Sequence, residues 1–131
     1  DIRVDGALAK YLETLGRIAE ADYDRAWPGH RDPIDDPTAR AEHIIEHHEE
    51  RSWKVLDALD RLGPCDPWTV SADLFGDLHS IHILHGPGES YAHLQHLRDE
   101  GLVVREGNDY DLAEGTSEKV DALEEERWPL V

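Results

Sequence analysis

Two pieces of punctuation fix the longest element of this chain. Asp36-Pro37 is a helix start, because the Asp side chain can accept a hydrogen bond from a first-turn N–H and proline fits the first helical position, where its missing N–H costs nothing. Gly63-Pro64 is a helix stop, since glycine leaves the helical conformation freely and proline cannot continue it. Between them Ala41, Ile44, Ile45, Val55, Leu56, Leu59 and Leu62 share one face, and the helical wheel places His48 and Ser52 toward the same side. A helix this long with one apolar face needs partners along it, so every other segment is read for what it can cover.

Before that helix, residues from about Gly6 to Glu20 put Leu8, Leu12, Leu15, Ile18 and Ala19 on one stripe, with Tyr11 at its edge. Such a stripe packs on the next helix or stays partly exposed, which predicts self-association or disorder. Ala21 to Trp27 reads as a short strand, and Pro28-Gly29 turns the chain so that His30 projects from a loop. After the long helix, Asp66-Pro67-Trp68 opens a short one running to Phe75, with Trp68, Val70 and Leu74 as core and Gly76 as stop. His79, His82 and His85 recur every third residue among Ile81, Ile83 and Leu84. A continuous helix rotates such histidines by about 60° per step, which favours a partly buried helix or connection with histidines at its edge over a second metal site.

Pro87-Gly88-Glu89-Ser90 leads into a further helix, Ser90 to Glu100, stopped by Gly101, with Tyr91, Leu94 and Leu97 facing inward. Leu102 to Arg105, the Gly107-Asn108 turn and Asp109 to Leu112 read as a β-hairpin. Thr116 or Ser117 can cap a last acidic helix through Arg127, anchored by Val120 and Leu123. The fold class is therefore mainly α with a small β-hairpin (α+β).

Charge excludes some partners. The 131 residues carry 30 acidic against 13 basic side chains, a net charge of −17, and the lysines are Lys10, Lys54 and Lys119 alone. Such a surface repels phosphate backbones and anionic membranes, whose binding rests on Lys and Arg. Acidic, lysine-poor composition suits a salt-rich cytoplasm, where repulsion is screened within a few Å, and it points to a halophile, with an acidic mesophilic surface as the plain alternative. One cysteine, Cys65, permits no internal disulfide, and no apolar run is long enough to span a bilayer. The absence of methionine predicts a piece of a longer protein.

His43-Ile44-Ile45-Glu46-His47 matches the inverted zinc-protease pattern, in which two histidines one turn apart bind zinc and the Glu is general base. At 100° per residue these three side chains point away from the apolar stripe, so they read as a solvated face whose His43/His47 pair can pick up adventitious metal.

The helix before the loop, the strand, Pro28-Gly29-His30 and then Ile34-Asp35-Asp36-Pro37 together resemble the last stretch of a metallo-β-lactamase-fold hydrolase. Three helices followed by a hairpin is the order of the winged-helix domain often appended to such enzymes. The resemblance implies residues 1–36 as the C-terminal remnant of an αββα metallo-hydrolase domain, 37–113 as a winged-helix domain and 114–131 as an acidic helix or tail. It makes His30 a metal ligand, with zinc, one or two ions, as the cofactor. Asp32 becomes a candidate to orient the His30 imidazole, against a plain turn-capping role. Members often carry Gly after this His where this chain has Arg31, and the family's His-x-His-x-Asp-His motif is absent.

The function implied is the C-terminal fragment of a cytoplasmic, metal-dependent hydrolase, inactive alone, whose winged helix shapes the active-site cleft or subunit contacts. Its partners are the missing N-terminal catalytic domain, an ester, thioester, lactam or RNA substrate, and a second copy in a homo-oligomer. The alternative is a winged-helix nucleic-acid-binding or protein-interaction module without catalysis. Duplex DNA fits poorly: the outward residues of the Ser90–Glu100 helix are Ala92, His93, Gln95, His96, Asp99 and Glu100, with Arg98 nearer the buried side and no Lys or Arg among them.

Overall fold

In the computed structural model, which describes residues 6–77, 79 and 82–121, the long helix runs Pro37–Leu62 (α2). Asp36 Oδ1 accepts from the Ala39 N–H at 2.9 Å, and the Gly63 N–H closes the other end on the Leu59 carbonyl. α2 is the spine, and the rest of the chain covers its face in two halves. Helix α1, Ala7–Ala21, lays Leu8, Leu12 and Leu15 on Ala41, Ile44 and Ile45 of the first half. The Thr38 hydroxyl donates to the Ala19 carbonyl at 3.3 Å and ties the two together. The α1 stripe is thus covered within the chain, and the self-association or disorder expected of it is not needed to bury it.

The second half of α2 packs with the remaining elements. These are α3 (Pro67–Phe75), α4 (His82–Asp99), a hairpin of β1 (Val103–Glu106) and β2 (Asp109–Leu112), and α5 (Thr116–Val120). Val55, Leu56 and Leu59 meet Val70, Leu94, Leu97, Val103 and Tyr110 in one core. The strands pair antiparallel with Val103 opposite Leu112 and Glu106 opposite Asp109, and Gly107 takes the positive φ of 62° that the tight turn demands. On its other edge β2 exchanges both backbone hydrogen bonds with Cys65, at 3.1 and 2.8 Å, so Tyr110 is held from two sides. Ser117 of α5 donates to the Asp60 carboxylate of α2.

Several expectations are corrected. The strand over Ala21–Trp27 reduces to a single bridge, Ala26 to Ile34, because α1 continues to Ala21 and only one residue pair on either side of the loop comes into register. The α4 helix does not begin after Pro87-Gly88 but runs through it. Trp68, expected in the core, is 57% exposed, and Ile83 is 42% exposed. Arg98 is exposed and pairs with Asp99 at 3.2 Å. Ile81, Leu123, the Leu84 side chain and the segment through Arg127 lie outside the described residues. No helix among those described is long and apolar enough to cross a membrane.

Candidate functional site

The loop that presents His30 is built from its ends inward. The Ala26 N–H and the Ile34 N–H each donate to the other's carbonyl at 2.9 Å, and outside this bridge Arg25 pairs with Asp35. The Arg25 guanidinium also lies 5.8 Å over the Trp27 ring, whose indole is 75% exposed. The closed ends leave Pro28 to Pro33 as a short excursion with His30 and Asp32 both exposed. Arg31 has φ 72°, a left-handed conformation that costs an L-residue about 1–2 kcal/mol. This is the position where the resembled family often has glycine, so the loop keeps a glycine-like backbone under an arginine side chain.

No hydrogen bond joins Asp32 to His30, and no group of three His, Cys, Asp or Glu side chains among the described residues is placed to hold a metal ion. A zinc site takes three or four protein ligands, so His30 does not make one without donors from elsewhere. His43, Glu46 and His47 are exposed along α2, as the wheel places them, and His79 and His85 are exposed as well.

The polar cluster that the fold does assemble is internal. Ser52 Oγ donates to the His48 carbonyl one turn back, at 2.9 Å, and lies 3.1 Å from His93 Nδ1. A hydroxyl has one proton, so Ser52 accepts from His93, which puts the His93 proton on Nδ1. The other ring nitrogen, Nε2, is then an acceptor 3.3 Å from His48 Nδ1. Tyr11 of α1 meets the His48 ring edge-on at 5.7 Å, so three helices converge here. The 3.3 Å separation also suits two ligands on a tetrahedral ion, about 3.3 Å apart, yet no third donor among the described residues joins them.

Burial, then the neighbouring His48 and Arg51, pushes the His93 pKa down to about 3. His48 is lowered by burial and by His47, while Glu89 opposes the shift. His93 and His96 were both expected to face outward, and both are buried; the His96 Nε2 has no partner among the described residues. The available signal was the position of His48 and Ser52 on the apolar side of α2, since buried polar groups on one helix need polar partners on the next.

Comparison with known proteins adds a relationship. No protein-family model matches the chain, and no curated protein matches it. Among solved structures, a metallo-beta-lactamase family protein from Thermus thermophilus is 34% identical over 83% of this chain, with a TM-score of 0.71. A beta-lactamase domain protein from Burkholderia ambifaria is 28% identical over 86% of it, with a TM-score of 0.75. The chain is therefore similar in sequence and fold to part of metallo-beta-lactamase family proteins. It spans about a third of their length, 34% of the one and 35% of the other.

Proposed function

We propose that this chain is the C-terminal part of a metal-dependent, zinc-using hydrolase of the metallo-β-lactamase superfamily. Residues 37–113 form its winged-helix domain, and His30 is the ligand this part contributes. The observation that carries the reading is the similarity to a third of a metallo-beta-lactamase family protein and of a beta-lactamase domain protein, combined with a backbone-clamped turn that holds an exposed histidine. Bound zinc supplies Lewis acidity toward a carbonyl or phosphoryl oxygen and toward water. The chain's own share is positional. The Ala26–Ile34 bridge fixes the loop ends, the left-handed Arg31 sets the turn, and the neutral imidazole of His30 offers one nitrogen. Asp32 is close enough in sequence to take the other ring N–H once the loop meets the remaining ligands. The exposed Trp27 beside it provides apolar surface for the catalytic domain to cover.

The substrate in this reading is an ester, thioester, lactam or RNA, chosen by access to the cleft. The net charge of −17 and the acidic outer end of α4 argue against the duplex-binding alternative, and the same composition fits a salt-rich cytoplasm. The test is the metal content of the full gene product beside its His30→Ala variant. One or two ions per chain, reduced by the substitution together with hydrolysis, are expected; metal content indifferent to His30 sinks the assignment.

A further inference from the structure

Helix α1 begins without a side-chain cap. Its N-cap is Gly6, which has no side chain to accept a hydrogen bond, and no acidic residue stands in the first turn. The first intrahelical bond is the one from the Lys10 N–H to the Gly6 carbonyl, at 3.0 Å. The N–H groups of Ala7, Leu8 and Ala9 before it have no acceptor within the helix, and they form the positive end of its dipole. These residues make one wall of a cavity of about 300 Å³, and α4 makes the facing wall with Tyr91, His96, Arg98 and Asp99. A helix N-terminus of this kind can hold an anion, and the facing wall supplies an independent reason to expect one.

His96 is 8% exposed, and its Nε2 has no hydrogen-bond partner among the described residues. Buried polar side-chain atoms are nearly always paired, and the cavity that His96 lines is where the missing partner can sit. The torsion that orients a histidine ring is broad, so a small turn carries this nitrogen to an atom in the cavity. A neutral imidazole with its proton on Nε2 is then a donor. Arg98 spends one N–H on Asp99 Oδ1 at 3.2 Å and keeps four others. Donors from both walls therefore converge on one space, and the atom that satisfies them is an oxygen carrying negative charge. Two features limit that charge to one. Asp99 stands on the same wall, and the whole chain has a net charge of −17, so a phosphate dianion is repelled more than a carboxylate. The side chains of Leu8 and Tyr91 offer apolar surface to whatever carbon chain the carboxylate carries. We propose that this cavity binds the carboxylate group of a small organic acid between the first turn of α1 and the His96 and Arg98 side chains of α4.

The probe is sodium acetate, titrated into the full chain at constant ionic strength, with sodium chloride as control and inorganic phosphate as competitor. The amide resonances of Ala7, Leu8 and Ala9 and the ring nitrogens of His96 are followed. Acetate is expected to move all of them along one saturating curve, while chloride leaves them in place. Arg98→Gln, at an exposed position that the core does not need, is expected to weaken acetate about tenfold through the loss of a charge-assisted bond. Ala9→Glu puts a carboxylate at the third helical position, within reach of the same N–H groups, and is expected to block acetate. Shifts that do not saturate, chloride acting as acetate does, an unmoved His96 ring, or binding that survives both substitutions overturns the proposal. Phosphate binding more tightly than acetate at neutral pH overturns the carboxylate assignment. Acetate binding that appears only after Asp5→Asn makes the chain's own carboxylate the occupant and removes the external ligand.

Discussion

His48 Nδ1 and His93 Nε2 lie 3.3 Å apart between α2 and α4, and the proton between them belongs to His48. The hydroxyl of Ser52 decides this from the far side of the His93 ring, because its own proton is committed to the His48 carbonyl. The three residues form a closed set in which each donor meets one acceptor, near the midpoint of α2, where the halves covered by α1 and by the remaining elements meet.

The network makes stability fall with acid. His93 takes up a proton near the ordinary 6.5 when unfolded but only near 3 when folded, owing first to burial and then to His48 and Arg51. Between those values the unfolded chain binds more protons, so the stabilisation is complete above 6.5 and is lost progressively toward 3. The limit is about 5 kcal/mol from the size of the shift, and His48, lowered as well, acts in the same direction. Urea unfolding between about pH 5 and 6.5, above the carboxylate range, should show the slope, and His93→Gln should flatten it. An unchanged slope removes His93 from the account.

Ser52→Ala deletes a small, fully buried side chain, yet it leaves the His93 Nδ1–H without an acceptor. The expected loss is about 1–3 kcal/mol, the penalty of one unsatisfied buried donor. The urea midpoint should drop with little change in the denaturant slope. A variant as stable as the parent would mean that the His93 proton sits on Nε2.

Arg31 stands at φ 72° at the tip of the His30 loop. Glycine adopts that conformation without the Cβ penalty, so Arg31→Gly should stabilise the loop, by up to about 1 kcal/mol once the extra freedom of an unfolded glycine is subtracted. Hydrogen exchange of the bridging Ala26 and Ile34 amides reads this directly. Faster exchange in the variant would show that the Arg31 side chain holds the loop.

Pro87 is buried inside α4, so Pro87→Ala trades packing for a restored hydrogen bond to the Ile83 carbonyl. A net gain of about 1–2 kcal/mol is expected from the helix term, seen as a higher melting temperature. A loss instead would mean that the proline ring contributes more by packing than it costs in the helix.

The parts of the fold legible in the sequence were those set by neighbours along the chain. Asp36-Pro37, Gly63, Asp66-Pro67, Gly76 and Gly101 mark ends because a cap, a missing N–H or a positive φ acts within a turn of where it sits. The hairpin followed from Gly107-Asn108 for the same reason. His30 was legible as a projecting loop residue, while the strand before it was not, since one bridge needs a register that alternation alone does not set.

What the sequence determined by itself was therefore the list of helices, those of their limits that a cap, a proline or a glycine marks, and the acidic surface, all products of short-range chemistry, whereas the start of α4, which runs through Pro87-Gly88, was not among them. What only the tertiary structure decided was which polar residues go inside. His93 is 1% exposed because Ser52 and His48, 41 and 45 residues away, offer an acceptor and a donor that satisfy both ring nitrogens. Trp68 is outside because the core closed over Val70 without it. A wheel assigns each side chain by its own polarity, whereas the free energy of burying a polar group is set by the partner it finds. That partner lies on another helix and is invisible until the helices pack.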